Sequence, residues 1–369
     1  MQEWPEGFDL GALLTPISAE APAGSDLRQD YSPDSLYYRL RDARSEARAA
    51  ERAIDAGNTD AIALPHWRAV RDLAIEVLSQ RTKDIEIATW LTEALLRDSG
   101  LVGLAAGCRL LAGLAETYWD GFFPQPDEEG LAGRLAAITG LNGAGGEGTV
   151  LQALRRTALF SRPDGTPFEF WDYLRSAETA AIGDPERRQQ RIDSGVLPFE
   201  TVENEARAAG GAQFVQLHDR AAEAAAAWLV LGQILDQRAG ADAPSTSQVR
   251  DLLQQIEDAA ERFAPPGAGA PEAVPAAPSA EVVGTDRPAA PAAPRADGLA
   301  SREDALCALA QIGEFFRRTE PLSPITYTLQ EAARRSRLTW PELLEEIVPD
   351  SASRSAILSS LGIRPPPNE

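Results

Sequence analysis

The side chains that most often do chemistry are sparse in this sequence and poorly spaced for it. The two histidines, His66 and His218, stand alone, and the two cysteines, Cys108 and Cys307, lie far apart. Neither an HExxH nor a CxxC spacing occurs, so the usual zinc arrangements have no ligand set. Each cysteine sits in an apolar helical pattern, where a thiol behaves as a small buried hydrophobe. The glycine-rich run 143–148 lacks the Lys-Ser/Thr pair of a phosphate-binding loop and does not fit a dinucleotide fingerprint, so it reads as a flexible interhelical turn. Asp127, Glu128 and Glu129 could hold a cation, but three adjacent carboxylates fit better the acidic first turn of a helix. No Ser or Cys stands in a nucleophile elbow. No catalytic residue, metal ligand or cofactor is assigned.

The charge balance narrows the partners. The chain has 369 residues and a formal net charge of −21, from 35 Lys+Arg against 56 Asp+Glu. A binder of nucleic acid must neutralise phosphates with basic groups, so a general nucleic-acid role is excluded, as is an anionic membrane surface. The tryptophans Trp67, Trp90, Trp119, Trp171, Trp228 and Trp340 lie on or beside helical stripes and read as core rather than as base-stacking platforms. Lys83 is the only lysine. The first residues lack the basic and apolar regions of a secretory signal, and no long uncharged apolar stretch predicts a membrane span. The expected location is the cytoplasm.

The elements that would position any site are helical. Residues 33–56 predict a polar helix that stops at Gly57-Asn58. His66 to Ser79 carries Trp67, Val70, Leu73, Ala74 and Val77 on one face. From Asp84 to Arg97, the residues Ile87, Trp90, Leu91, Ala94 and Leu95 form one continuous apolar stripe. A second stripe runs from Leu101 to Trp119, and Gly100 between the two predicts an antiparallel helical hairpin. Further helices are expected at 131–141, around Leu217–Leu235 and at 248–263. Strand signals are weak, confined to pieces such as Thr149-Val150 and 195–197. The fold class expected is all-α.

Ala, Pro and Gly dominate residues 264–298, which contain almost no large apolar side chain. Such a segment cannot bury enough surface to offset its ordering entropy and reads as a disordered, extended linker. It divides the chain into an N-terminal helical region at 1–145, a middle helical region at 146–263, and a small C-terminal helical domain at 299–369. Whether the first two share a core is left open by sequence. The C-terminal domain shows a cap at Ser301, Ser323 before Pro324, and a capping box from Thr339 to Glu342. Four short helices make a thin core, and association is a common remedy. Its one unusual polar cluster contains Phe315, Phe316, Arg317, Arg318, Glu320 and Pro324. An Arg–carboxylate pair fixing a helix corner and a contact between subunits are both open, and compatible.

Two sets of motifs resemble a known family. Leu13-Leu-Thr-Pro-Ile, Pro22-Ala-Gly-Ser-Asp-Leu-Arg28, Trp67, the run Arg81 to Leu96, and Tyr118-Trp-Asp-Gly-Phe-Phe-Pro124 occur in the order found in the ImpA N-terminal domain. That domain marks the TssA proteins of bacterial type VI secretion systems. Phe315-Phe-Arg-Arg-Thr-Glu-Pro-Leu-Ser-Pro324 with Trp340-Pro-Glu-Leu-Leu344 is similar to the C-terminal domain of the shorter TssA proteins, although 332–336 departs from their pattern. The resemblance implies a structural protein, not an enzyme. It implies a homo-oligomeric ring formed by the C-terminal domain. It also implies contacts with baseplate, sheath, inner-tube and membrane-complex proteins.

On this basis Phe315, Phe316, Arg317, Arg318, Glu320 and Pro324 are the candidate oligomer interface. The loop around Pro22, Gly24 and Asp26 is the candidate partner-docking site, and it reads equally well as a cover folded back on the core. The competing reading is an all-α enzyme or small-molecule binding protein with a pocket in the middle helical region.

Overall fold

A computed structural model describes residues 3–265 except 33, 127–129 and 144–147, together with 331, 334, 335 and 346. The candidate interface at 315–324, the acidic run at 127–129 and, apart from those four positions, the segment from 266 onward therefore lie outside the described residues. Among the described residues the structure is helical, with one short hairpin.

The order of elements is α1 (Leu10–Leu14), α2 (Leu36–Asp55), α3 (Leu64–Gln80), α4 (Ile85–Thr117), α5 (Leu131–Asn142), α6 (Leu151–Arg155), β1 (Ala158–Ser161), β2 (Pro167–Glu169), α7 (Phe170–Ala181), α8 (Pro185–Asp193), α9 (Phe199–Ala209), α10 (Gly211–Ala239) and α11 (Ser247–Phe263). The stripe Ile87, Trp90, Leu91, Ala94 and Leu95 is buried throughout. It belongs to α4, the central element, which reverses at Gly100 as the sequence predicts.

Gly100 has φ +60° and ψ −142°, a region that side chains avoid. Beyond it the second arm folds back on the first. A Cβ at Gly103 would lie 1.9 Å from the Leu95 carbonyl oxygen, and one at Gly107 would lie 2.6 Å from the Thr92 side chain. In a straight helix, residues 92 and 107 would stand about 22 Å apart. The absent side chains let the two arms touch backbone to side chain.

By length and hydropathy α4 could cross a membrane, but it is mostly buried inside this fold and broken at Gly100. Among the described residues no other helix qualifies. The helix α10 packs along both α4 and α11. One core therefore runs from Trp67, Leu91 and Leu111 to Phe214, Trp228 and Leu253, across residues 1–145 and 146–263 alike.

The sheet corrects the placement of strands. β1 and β2 pair antiparallel at 158–161 and 167–169, not at 149–150 or 195–197. Phe160 and Phe168 stack at 4.9 Å between ring centroids, and Gly165 takes the left-handed turn with φ +84°. Trp171 is a second correction. It is 46% exposed on α7, whose buried face is carried by Phe170, Ser176 and Thr179. Trp67, Trp90 and Trp228 are buried as expected, and Trp340 lies outside the described residues.

Candidate functional site

The loop carrying Pro22, Gly24 and Asp26 leaves α1 and lies against the segment joining α3 to α4. Lys83 N donates to the Ala23 carbonyl at 2.7 Å, and Ser25 N donates to the Arg81 carbonyl at 3.2 Å. Gly24 bridges Thr82 in antiparallel fashion. It has φ +75°, and a Cβ there would sit 2.1 Å from the Arg81 oxygen. Only glycine permits that approach.

Asp26 caps a 3-10 turn at Leu27–Gln29 by accepting from Arg28 N at 3.1 Å. Arg28 then reaches across to the start of α4. Its Nη1 donates to Asp84 Oδ2 at 2.6 Å, and its Nη2 donates to Glu86. The guanidinium lies 4.7 Å above the Tyr37 ring, whose hydroxyl donates to Glu86 at 3.1 Å. Burial, reinforced by the Glu86 charge, pushes the Tyr37 phenol up to about 12. Asp84 is fully buried and caps α4 by accepting from Glu86 N at 2.9 Å and Ile87 N at 3.1 Å. Burial pushes its carboxyl above the ordinary range, against the pull of Arg28.

Lys83 is 0% exposed. Its Nζ donates to the carbonyls of Leu13 and Leu78, each at 2.7 Å. Burial without a contacting carboxylate pushes the ammonium down to about 8. The opposite side of the same segment holds the chain after α4. Ile85 N donates to the Phe123 carbonyl at 2.7 Å, and Phe123 N donates to the Lys83 carbonyl at 2.9 Å. Arg134 donates to the carbonyls of Phe122 at 2.8 Å and Pro124 at 2.9 Å. The Tyr118 hydroxyl donates to the Leu14 carbonyl at 2.7 Å.

Three irregular stretches, 13–28, 81–86 and 118–124, thus form one junction. Irregular backbone that is buried must find partners outside a helix or sheet ladder. Lys83, Tyr118 and the capping Asp26 and Asp84 of the three stretches supply them, together with Arg134 from α5. Sequence reasoning missed Lys83 and Arg134 as members. The signal available was that Lys83 is the only lysine of the sequence.

Of the candidate docking residues, Pro22 is exposed while Gly24 and Asp26 are half-buried. Pro22 lines a shallow groove of about 310 Å³ with Trp119, Asp120 and Arg238.

A larger cavity of about 610 Å³ opens between α3, the α4 reversal, α6 and α10, with Trp67, Leu96, Gly100, Ala153 and Leu217 in its lining. It draws on both N-terminal regions, not on the middle one alone. Its charged groups are committed: Arg97 to Glu51 at 2.6 Å, Arg156 to Asp55 at 3.2 Å, and Arg220 to Glu3 at 3.1 Å. Among the described residues no group of three or more His, Cys, Asp or Glu could hold a metal ion. Cys108 is buried, and burial pushes its thiol up to about 12, which leaves almost no reactive thiolate at neutral pH.

The junction coincides with a family signature. Residues 14–143 match the model of the N-terminal domain of ImpA, of the type VI secretion system. The described fold is similar to the solved N-terminal domain, including the conserved ImpA_N region, of the TssA component from Burkholderia cenocepacia. The identity is 30% and the TM-score 0.57, covering 71% of this chain and 95% of that one. The whole chain is 30% identical to the type VI secretion system component TssA1 of Pseudomonas aeruginosa over 363 residues, 94% of this chain and 97% of the relative. The fold and its junction define an ImpA-type helical domain, and the chain belongs to the TssA family of type VI secretion system components.

Proposed function

We propose that the chain is a structural adaptor of the secretion apparatus, acting in the cytoplasm without catalysis. Residues 299–369 join copies of the chain into a closed ring, through Phe315, Phe316, Arg317, Arg318, Glu320 and Pro324. Residues 264–298 tether the large helical region to that ring. The tethered copies reach outward to baseplate, sheath, inner-tube and membrane-complex proteins. Several arms on one ring raise the effective concentration of each weak contact. The loop at Pro22, Gly24 and Asp26 docks one such partner, with Pro22 on the exposed groove and the other two residues holding the loop's shape.

The observation that carries this reading is the kinship to TssA1 along 94% of the chain, through the C-terminal region as well as the helical one. The junction supports it. Its polar side chains are spent on capping helices and satisfying backbone carbonyls, the work of a scaffold.

The test is the light-scattering mass of the full chain beside its Glu320→Arg variant. A large closed oligomer is expected, falling to a smaller species on charge reversal. A variant ring of unchanged mass removes Glu320 from the interface, and a monomeric parent chain removes the ring.

A further inference from the structure

The α2 helix carries arginines at 44, 48 and 52, four residues apart and therefore on one face. Their fates differ. Arg44 is bound by Glu93 through Nε at 2.6 Å and Nη2 at 2.8 Å. Arg97, from the facing α4 arm, is bound in the same forked way by Glu51 at 2.6 and 3.1 Å. It also donates to the Thr149 carbonyl at 3.1 Å. Glu93 and Glu51 thus each hydrogen-bond one guanidinium. Arg48 and Arg52 are left over, with neither a hydrogen bond nor an ion pair among the described residues.

Arg52 is exposed, but Arg48 is half-buried. Burial presses its pKa down, the charge of Glu93 opposes that, and Arg44, Arg97 and Arg52 add to the downward pull, although a guanidinium stays cationic at neutral pH. Like charges one helical turn apart repel. Both side chains open on a cleft of about 190 Å³, whose lining also includes Glu51, Arg97, Gly148, Thr149 and Gln152. In a chain of net charge −21, Arg44, Arg48, Arg52 and Arg97 are set here against Glu51 and Glu93, an excess of two positive charges that a bound anion would balance.

We propose that this cleft binds a phosphate group, free or carried on a small molecule, through the paired forks of Arg48 and Arg52. The count of charges selects the ligand. A carboxylate offers one charge and two oxygens, and the Arg44–Glu93 and Arg97–Glu51 pairs give each one a single arginine. Two arginines match a dianion, and a tetrahedral phosphate presents enough oxygens for both forks. The cleft holds the phosphoryl group and little more, so any carrier projects outward. The acidic field of the rest of the chain opposes anions at long range, so the binding is local and weakens with salt.

The experiment is calorimetric titration of the full chain in dilute chloride, at a pH where phosphate is doubly charged. The probes are inorganic phosphate, phosphoserine and acetate. Saturable phosphate binding is expected, with acetate at least tenfold weaker. The double variant Arg48→Gln, Arg52→Gln should lose at least tenfold in phosphate affinity while keeping the parent melting temperature without ligand. Arg41→Gln, on the same helix but paired with Asp42, should bind as the parent does. Phosphoserine matching phosphate makes the site a reader of a carried group, and phosphate alone makes it a site for the free ion. Three results overturn the proposal: no saturable phosphate heat, equal binding by the double variant, or acetate binding as tightly as phosphate.

Discussion

Two helices of this protein begin with the same chemistry in different surroundings. At the start of α4, Asp84 accepts from the amides of Glu86 and Ile87 at 2.9 and 3.1 Å. At the start of α8, Asp184 accepts from the amides of Glu186 and Arg187 at 3.0 and 3.4 Å. Asp84 is fully buried and also holds Arg28. Asp184 is exposed, and no residue of α8 is buried. The cap itself contributes about 1 kcal/mol wherever it stands. What closes over it decides whether its loss stays local.

The largest effect that tests this comparison belongs to Asp84→Ala. It removes the cap and leaves Arg28, 23% exposed, without its buried carboxylate partner. Losing a cap costs about 1 kcal/mol, and breaking a charge-assisted hydrogen bond in a buried setting costs about 2 more. A loss near 3 kcal/mol in urea-unfolding stability is expected. A loss as small as a surface cap would show that the junction does not depend on this residue.

Lys83→Met is the next test. It keeps the length of the side chain but leaves the Leu13 and Leu78 carbonyls without their donor. The expected cost is about 2 kcal/mol at neutral pH, and its pH dependence identifies the cause. Burial holds the folded ammonium at about 8, below its ordinary value of 10.5. Between those values the unfolded chain binds the extra proton and the folded chain does not, so this group's contribution to stability rises with pH. The difference between parent and variant isolates it from the Cys108 thiol, whose raised pKa works in the opposite direction. Unfolding of both proteins at pH 8 and pH 9.5 should show the gap widening toward the higher pH. A constant gap would falsify the titration while leaving the lost hydrogen bonds to explain the cost.

The contrast also explains what the sequence could disclose. Periodicity exposes any helix with one buried face, so Ile87, Trp90 and Leu91, or Val249, Leu253 and Ile256, could be placed from sequence. Gly100 could be read as a reversal because only a break separates two such stripes. The β1–β2 hairpin was missed although its signal was present. Asp164-Gly165 stands between Leu159-Phe160 and Phe168, an Asp-Gly turn between apolar residues. Its strands are too short for alternation to register. Trp171 was misread because α7 buries the adjacent Phe170 in its place.

The candidate site was harder, for a physical reason. Lys83, Arg28 and Arg134 act on backbone carbonyls or carboxylates from 5 to 70 positions away. No local period records such a partnership. Arg44, Arg48 and Arg52 look equivalent in sequence. Only the arrival of Glu93 from α4 beside Arg44 separates the paired arginine from the two that are left.

The smallest effect is the one that sharpens the comparison most. Asp184→Ala removes the same two hydrogen bonds as Asp84→Ala, with no ion pair behind them. The surrounding segment has few ties to the core: Ser176 of α7 donates to the Leu197 carbonyl at 2.7 Å, whereas Arg188 donates within the segment, to the Ile182 carbonyl at 2.6 Å. A segment held by few buried contacts opens before the whole chain unfolds. The loss should therefore appear locally, as amide exchange in 182–198 faster by about fivefold, the equivalent of roughly 1 kcal/mol. The global urea midpoint should move little, because the core formed by α4 and α10 unfolds after α8 has already opened. If the midpoint instead falls as far as it does for Asp84→Ala, the two caps carry equal weight. The buried junction would then have no special role in holding the fold.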